Sequence, residues 1–260
     1  MKLLDTHCHL CHPRLRSQLA GVLDRGRAAG VVGFVCASGN VSESERAAGI
    51  ARTNGDVFFA AGVHPHDAKD APADYLKRIE QLAADPKNVA IGEIGLDYHY
   101  DFSPRPDQQR IFAEQLALAE KLAKPIVVHT REAFDDTLGL IGQSGADGGR
   151  VVFHSFTESA DHLRRVLDIG AMISFSGIVT FKSTSYLRRA AALVPDEKLL
   201  IETDAPYLSP EPVRKIRTNE PAHVAHVAVS LGAVRGISPD ALAELTTRNA
   251  IRFFGLQGVL

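Results

Sequence analysis

No run of about 18 or more apolar residues occurs anywhere in the 260-residue sequence, so no membrane-spanning helix is expected. The first residues also lack the basic-then-apolar order of a secretory signal. Cysteine is scarce and odd in number, Cys8, Cys11 and Cys36 being the whole set, which argues against a disulfide scaffold and points to a reducing cytoplasm. Positive charge is not in excess either: 29 Lys and Arg against 31 Asp and Glu leave a formal net charge of −2. The basic footprint of a protein that coats duplex nucleic acid is therefore missing. An enzyme whose bound cations supply the positive charge stays open. Linkers, low-complexity tracts and internal repeats are absent, so residues 1–260 read as a single domain, and nothing in them implies a stable protein partner.

What is present is a regular alternation. Short apolar, β-branched runs predict strands at residues 3–7, 31–37, 57–63, 89–94, 125–129, 150–154, 171–174 and 198–202. Between them, helices are expected at 15–29, 42–54, 75–84, 107–123, 132–141, 159–168 and 184–193. In the fourth helix Ile111, Leu116, Leu118, Ala119 and Leu122 recur near the spacing of one helix face. Gly30, Gly55 and Gly170 follow three of the helices, where a left-handed residue would end them. Two more helices, 222–234 and 239–254, follow the last strand; Pro221 suits a first helical position and Ser238 an N-cap. Strand followed by helix, eight times over about 250 residues, predicts an α/β fold: a closed (β/α)8 TIM barrel rather than an open doubly wound sheet.

The polar residues of interest fall at the ends of these strands. Residues i and i+2 share a strand face, so in Asp5-Thr6-His7-Cys8-His9 the two imidazoles point the same way and suit a divalent ion. Taken alone, the pair reads equally well as solvated or core histidines. His64 and His66 follow the third strand, Glu93 lies near the end of the fourth, His129 ends the fifth, His154 ends the sixth and Asp204 follows the eighth. A closed barrel gathers such strand ends at one mouth, where barrel enzymes keep their chemistry, and that shifts the reading to metal. Glu93 follows the apolar run Val89-Ala90-Ile91-Gly92, and a lone buried carboxylate is costly unless a cation meets it. A carboxylate can join two ions, so Glu93 is read as the bridge of a two-metal site. Imidazole and carboxylate without thiolate suit Zn, Mn, Fe or Mg, and Cys8 reads as packing on the opposite face of the first strand.

Other residues keep two readings. His64 and His66 either meet a phosphate or a further ion, or are solvated on a turn set by Pro65. Arg131 offers a fork to phosphate oxygens or forms a surface ion pair. Arg214, Lys215 and Arg217 are a basic track for a nucleic-acid strand or a solvated loop. Tyr98, Tyr100 and Phe102 stack a base or pack their own loop.

In order and spacing, a series of segments resembles the TatD family of metal-dependent deoxyribonucleases, a branch of the amidohydrolase-type barrels. They are Asp5-Thr6-His7-Cys8-His9, Gly62-Val63-His64-Pro65-His66, Gly92-Glu93-Ile94-Gly95-Leu96-Asp97-Tyr98, His129-Thr130-Arg131, His154-Ser155-Phe156, Glu202-Thr203-Asp204-Ala205-Pro206-Tyr207-Leu208 and Asn219-Glu220-Pro221. The resemblance covers nearly the whole chain. It implies a barrel that hydrolyses phosphodiester bonds of DNA with two divalent ions (Mg, Mn or Zn), as an exonuclease on single-stranded or frayed ends. It further implies that His7, His9, Glu93 and Asp204 hold one ion and Glu93, His129 and His154 the other. Paired ions activate water and balance charge on the phosphate, and Asp204 would take the proton. Two segments depart from the family wording: Thr157-Glu158 follows His-Ser-Phe, and residues 212–217 lack a glycine. Both bear on loops and substrate, not on ligands. The competing readings are a hydrolase of a lactone, phosphotriester or aminoacyl ester, and a non-catalytic nucleic-acid-binding module with a structural metal. Glu93, standing where a carbamylated lysine would bridge, weighs against the phosphotriesterase-like branch. The surplus of ligands and the negative net charge weigh against the binding module.

Overall fold

In the computed structural model, which describes all 260 residues, the apolar runs become strands and the amphipathic stretches helices in strict alternation. The order is β1 (Leu3–Cys8), α1 (Pro13–Arg16), α2 (Leu19–Ala28), β2 (Val31–Cys36), α3 (Val41–Thr53), β3 (Val57–Ala61), α4 (Tyr75–Ala83), β4 (Asn88–Asp97) and α5 (Arg105–Lys121). There follow β5 (Ile126–Arg131), α6 (Phe134–Ser144), β6 (Val151–Phe153), α7 (Ala160–Asp168), β7 (Met172–Phe175), α8 (Ser185–Leu193), β8 (Leu199–Ile201), α9 (Val224–Arg235) and α10 (Pro239–Phe253). The strands lie in sequence order in one eight-stranded sheet, and Cys8 bridges in parallel to Ala205, just past β8, giving the (β/α)8 barrel. Every residue of β1 and of β4 is buried. Strands covered on both faces need apolar side chains on both, which is why they show in the sequence as continuous runs. No helix is long and apolar enough to cross a membrane.

Contacts gather into two compact units. The first comprises Met1–Cys36, His154–Asp168 and Met172–Leu260, the second Ala37–Phe153 with Ile169–Ala171. In the first, β1 pairs with β2 and β7 with β8, around a core that includes Leu3, Leu4, Phe34 and Leu200. In the second, β3 to β6 pair in succession over Phe58, Phe59, Ile91, Phe112 and Val128.

Three local expectations are corrected. The first predicted helix is broken, because His12 accepts the Arg14 N–H and Pro13 starts a separate short turn before α2. Gly30 and Gly170 do adopt positive φ (95° and 83°), but α3 ends on Asn54 in extended conformation. There the Asn54 amide donates to Ile50 O at 2.9 Å and covers a terminal carbonyl without a left-handed glycine. Strand β4 runs three residues past its predicted end, since Gly95, Leu96 and Asp97 pair with His129, Thr130 and Arg131. Gly95 (φ 145°) allows this: a Cβ there would lie 1.9 Å from His129 O.

Two buried glutamines of α5 fasten strand ends. Gln115 accepts the Val63 N–H (2.7 Å) and donates to Val63 O (3.0 Å), one residue before His64. Gln108 does the same for Asp97 at 2.9 and 3.1 Å. Gln115→Met preserves volume and strands both Val63 groups, so it is expected to lower unfolding free energy by about 2–3 kcal/mol. A shifted urea midpoint with unchanged slope would register the loss.

Candidate metal centre

In the first unit, β1 alternates Asp5, His7 and the following His9 onto one face, as predicted, while Cys8 is buried on the other with its thiol 3.5 Å from Val35 O. The Nε2 atoms of His7 and His9 are 3.3 Å apart, and Asp204 Oδ1 lies 3.3 Å from His9 Nε2 and 3.9 Å from His7 Nε2. Ligands on one ion at about 2.0–2.2 Å stand roughly 3.0–3.6 Å from one another, so the two 3.3 Å separations suit a shared cation and the third is a few tenths of an ångström wide of it. The turn that carries Asp204 is zipped to the end of β1: Asp204 N–H donates to His7 O (2.9 Å) and His9 N–H to Ala205 O (2.7 Å). Asp204 itself sits at φ 56°, a left-handed conformation that aspartate tolerates better than most residues. Burial would raise the Asp204 carboxyl, but the His9 hydrogen bond and the neighbouring imidazoles outweigh it and hold it below the usual carboxylate range.

His154 completes a second triplet with His7 and Glu202. Its ring stacks on that of His7, centroids 4.0 Å apart and planes 13° apart. Glu202 orients it, Oε1 lying 3.2 Å from His154 Nδ1 and accepting the Ser155 N–H at 2.8 Å. Beneath, Asp5 accepts the Thr203 N–H (2.8 Å) and hydroxyl (2.6 Å). Burial pushes Asp5 up to about 8, against the pull of those bonds and with Glu202 adding to the rise.

In the second unit, Glu93 Oε1 lies 3.1 Å from His129 Nδ1 and 3.4 Å from His64 Nε2. Asp97 Oδ2 lies 3.1 Å from His129 Nε2 and 2.9 Å from His66 Nε2. Carboxylates thus face both ring nitrogens of His129, Asp97 at Nε2 and Glu93 at Nδ1, each across 3.1 Å. A proton or a metal ion can lie between Nδ1 and the Glu93 oxygen, and a carboxylate behind a histidine is the usual support of a metal ligand. Burial would raise Asp97, but the bonds from His129, His66 and the Tyr100 N–H hold it far below the usual range. His64 is lowered to about 4, chiefly by burial, so its imidazole is neutral at neutral pH. Its Nδ1 accepts the His66 N–H (3.1 Å), which turns Nε2 toward Glu93.

The residues read from the sequence, joined by Glu202, assemble as His7–His9–Asp204, His7–His154–Glu202 and His64–Glu93–His129, donor sets without thiolate that fit a borderline or hard divalent cation. His64 enters as a donor beside Glu93, and His66, partly exposed, lies outside these sets and is bonded to Asp97. Arg131 lies 4.7 Å above the Tyr100 ring, stacked on it. Of the basic track, Arg214 packs over Phe181 at 3.8 Å, while Lys215 and Arg217 are exposed. Sequence reasoning gave no role to Asp5, Asp97 or Glu202. The signal was present: Glu202 closes Leu199-Leu200-Ile201 as Glu93 closes its own apolar run.

A profile of TatD related DNases matches residues 4–255. The chain is 36% identical over 252 residues to an uncharacterized metal-dependent hydrolase, YabD of Bacillus subtilis, covering 97% of this chain and 98% of that one. It is 38% identical over 239 residues to the 3'-5' ssDNA/RNA exonuclease TatD of Klebsiella pneumoniae, covering 90% and 91%. Among solved structures it is similar to YjjV, a TatD homolog from Escherichia coli K12, with a TM-score of 0.91 and 28% identity over 97% and 98% of the two chains.

Proposed function

The chain belongs to the TatD-related DNase family and is a metal-dependent hydrolase, and on that footing we propose that it removes nucleotides from single-stranded or frayed ends of DNA by phosphodiester hydrolysis. The observation that carries this reading is the approach of His129 Nδ1 to Glu93 Oε1 at 3.1 Å, with Asp97 Oδ2 3.1 Å from the other ring nitrogen. We assign His7, His9, Glu93 and Asp204 to one divalent ion and Glu93, His129 and His154 to a second, either ion being Mg, Mn or Zn. Such ions supply Lewis acidity, which makes water acidic enough to react near neutral pH and balances charge on the phosphate. Around them the side chains divide the work. Asp204 receives the proton of the attacking water, and its lowered basicity keeps it ionised and ready at neutral pH. Neutral His64, whose Nε2 faces Glu93 at 3.4 Å, lines the place of the phosphate, and Arg131 presents its fork to the phosphate of the incoming strand. Asp97 and Glu202 hold the rings of His129 and His154 in register. The reducing cytoplasm is the compartment that suits the three buried thiols, none of them in a disulfide.

Exhaustive removal of metal is expected to abolish cleavage of an end-labelled single-stranded oligonucleotide, and Mg, Mn or Zn to restore it. Products should shorten one nucleotide at a time from one end. Internal fragments from the start of the digest would refute the exonuclease. Inertness toward DNA with hydrolysis of a lactone or aryl ester would transfer the site to the small-ester reading.

A further inference from the structure

The segment between β4 and α5, residues 98–104, carries three aromatic side chains with two different fates. Tyr98 packs: its hydroxyl donates to Asp136 Oδ2 (2.7 Å), Gln109 donates to it (2.7 Å), and the Arg105 guanidinium covers its ring at 4.2 Å. Tyr100 and Phe102 do not pack in this way. They are 46% and 55% exposed, and they stack on each other with centroids 5.1 Å and planes 23° apart.

The segment that displays them is pinned from below. Asp97 Oδ1 accepts the N–H groups of His99 (3.0 Å) and Tyr100 (2.9 Å). Ser103 donates its hydroxyl to His66 O (2.8 Å) and accepts the Lys69 N–H (3.1 Å), and Gln108 donates to Ser103 O (2.8 Å). His66 meets both rings edge-on, centroids 5.4 Å from Tyr100 and 4.8 Å from Phe102, and the same imidazole is bonded to the Asp97 that holds His129. Two aromatic rings, about half exposed, are therefore presented beside the proposed metal ligands, with Arg131 over Tyr100 and Phe102 stacked against it. A packing role leaves that exposure unexplained.

We infer that Tyr100 and Phe102 form a stacking platform for an unpaired nucleobase, with Arg131 on Tyr100 meeting the adjoining phosphate. This rests on the phosphodiesterase reading above and names what that site grips. Every base has a π-face, and stacking on an aromatic side chain holds a strand without regard to sequence. A guanidinium stacked on a ring keeps its edge donors free for phosphate oxygens. Bases inside a duplex have both faces covered by neighbours, so the platform takes only single-stranded or frayed nucleotides. An exonuclease would reach the same preference without reading sequence.

The test is a two-by-two cycle on kcat/KM in saturating metal. Wild type and the double variant Tyr100→Ala/Phe102→Ala are each given oligothymidylate and its fully abasic counterpart. Removing the rings, or removing the bases, is expected to cost about tenfold to a hundredfold, and removing both no more than either alone. Independent losses that multiply, or equal losses of the variant on both substrates, would mean that the rings only shape the loop and would overturn the platform. Binding is read separately by quenching of a 2-aminopurine tetranucleotide on metal-free protein. Strong quenching by wild type and at least tenfold weaker binding by the double variant, or by Phe102→Leu should the double variant fail to fold, is expected; equal binding overturns the proposal. Ring-dependent quenching without nucleotide release under any metal refutes the exonuclease and spares the platform.

Discussion

Glu93→Gln is expected to lower kcat/KM for a single-stranded oligonucleotide by about 10³-fold or more while leaving the metal-free chain as stable as the wild type or more so. The two halves of this expectation have one cause. Glu93 is 3% exposed and its Oε1 lies 3.1 Å from His129 Nδ1. Without metal, that is a desolvated carboxylate, and the uncharged, isosteric amide avoids the desolvation while keeping a hydrogen bond to the ring nitrogen. With metal, the carboxylate is the anionic ligand assigned to both ions, and an amide is a far weaker ligand for either. Melting curves with and without added Mn should show the sign reversal: the metal-induced rise in Tm shrinks in the variant although its metal-free Tm does not fall. A variant within tenfold of wild type at full metal occupancy would remove Glu93 from the ligand set.

Much of this fold was legible because parallel barrel strands are buried on both faces. Runs such as Val57-Phe58-Phe59-Ala60-Ala61 leave no other reading, and all eight strands appear where such runs stand. Helix ends were less legible, since they are settled by single polar contacts: the His12 cap that splits α1 from α2, or the Asn54 amide that ends α3. The site divides along the same line. His7 and His9 share a face by strand period alone, and Glu93 betrays itself as a charge inside an apolar run. Asp97 has no such local mark, and the mark on Glu202, at the end of Leu199-Leu200-Ile201, does not reveal its partner: they act on His129, 32 residues away, and on His154, 48 residues away. Gln108 and Gln115 stood on the apolar side of a helix, and only the strands they fasten reveal that their amides take the place of missing backbone partners.

Asp204→Asn is expected to lower turnover by about 10²–10⁴-fold, and its design separates two roles that the carboxylate combines. The residue occupies φ 56°, where an L-residue is strained by roughly 1–2 kcal/mol unless it is asparagine or aspartate. Asparagine therefore keeps the turn, along with the bond from the Asp204 backbone N–H to His7 O at 2.9 Å, whereas alanine would add strain to the loss of the side chain. What asparagine removes is the anionic oxygen 3.3 Å from His9 Nε2, and with it both a ligand and a proton acceptor. Titrating metal distinguishes the two. Were Asp204 a ligand only, the variant would need more metal and then reach the wild-type plateau. A proton acceptor cannot be replaced by mass action, so the plateau should stay at least about 100-fold low however much metal is supplied. The surroundings hold Asp204 below the usual carboxylate range, so it is ionised throughout neutral pH, and the deficit should be uniform across pH 6 to 8 rather than confined to one end. Recovery of the wild-type plateau at high metal would leave Asp204 a ligand and require the proton to pass elsewhere.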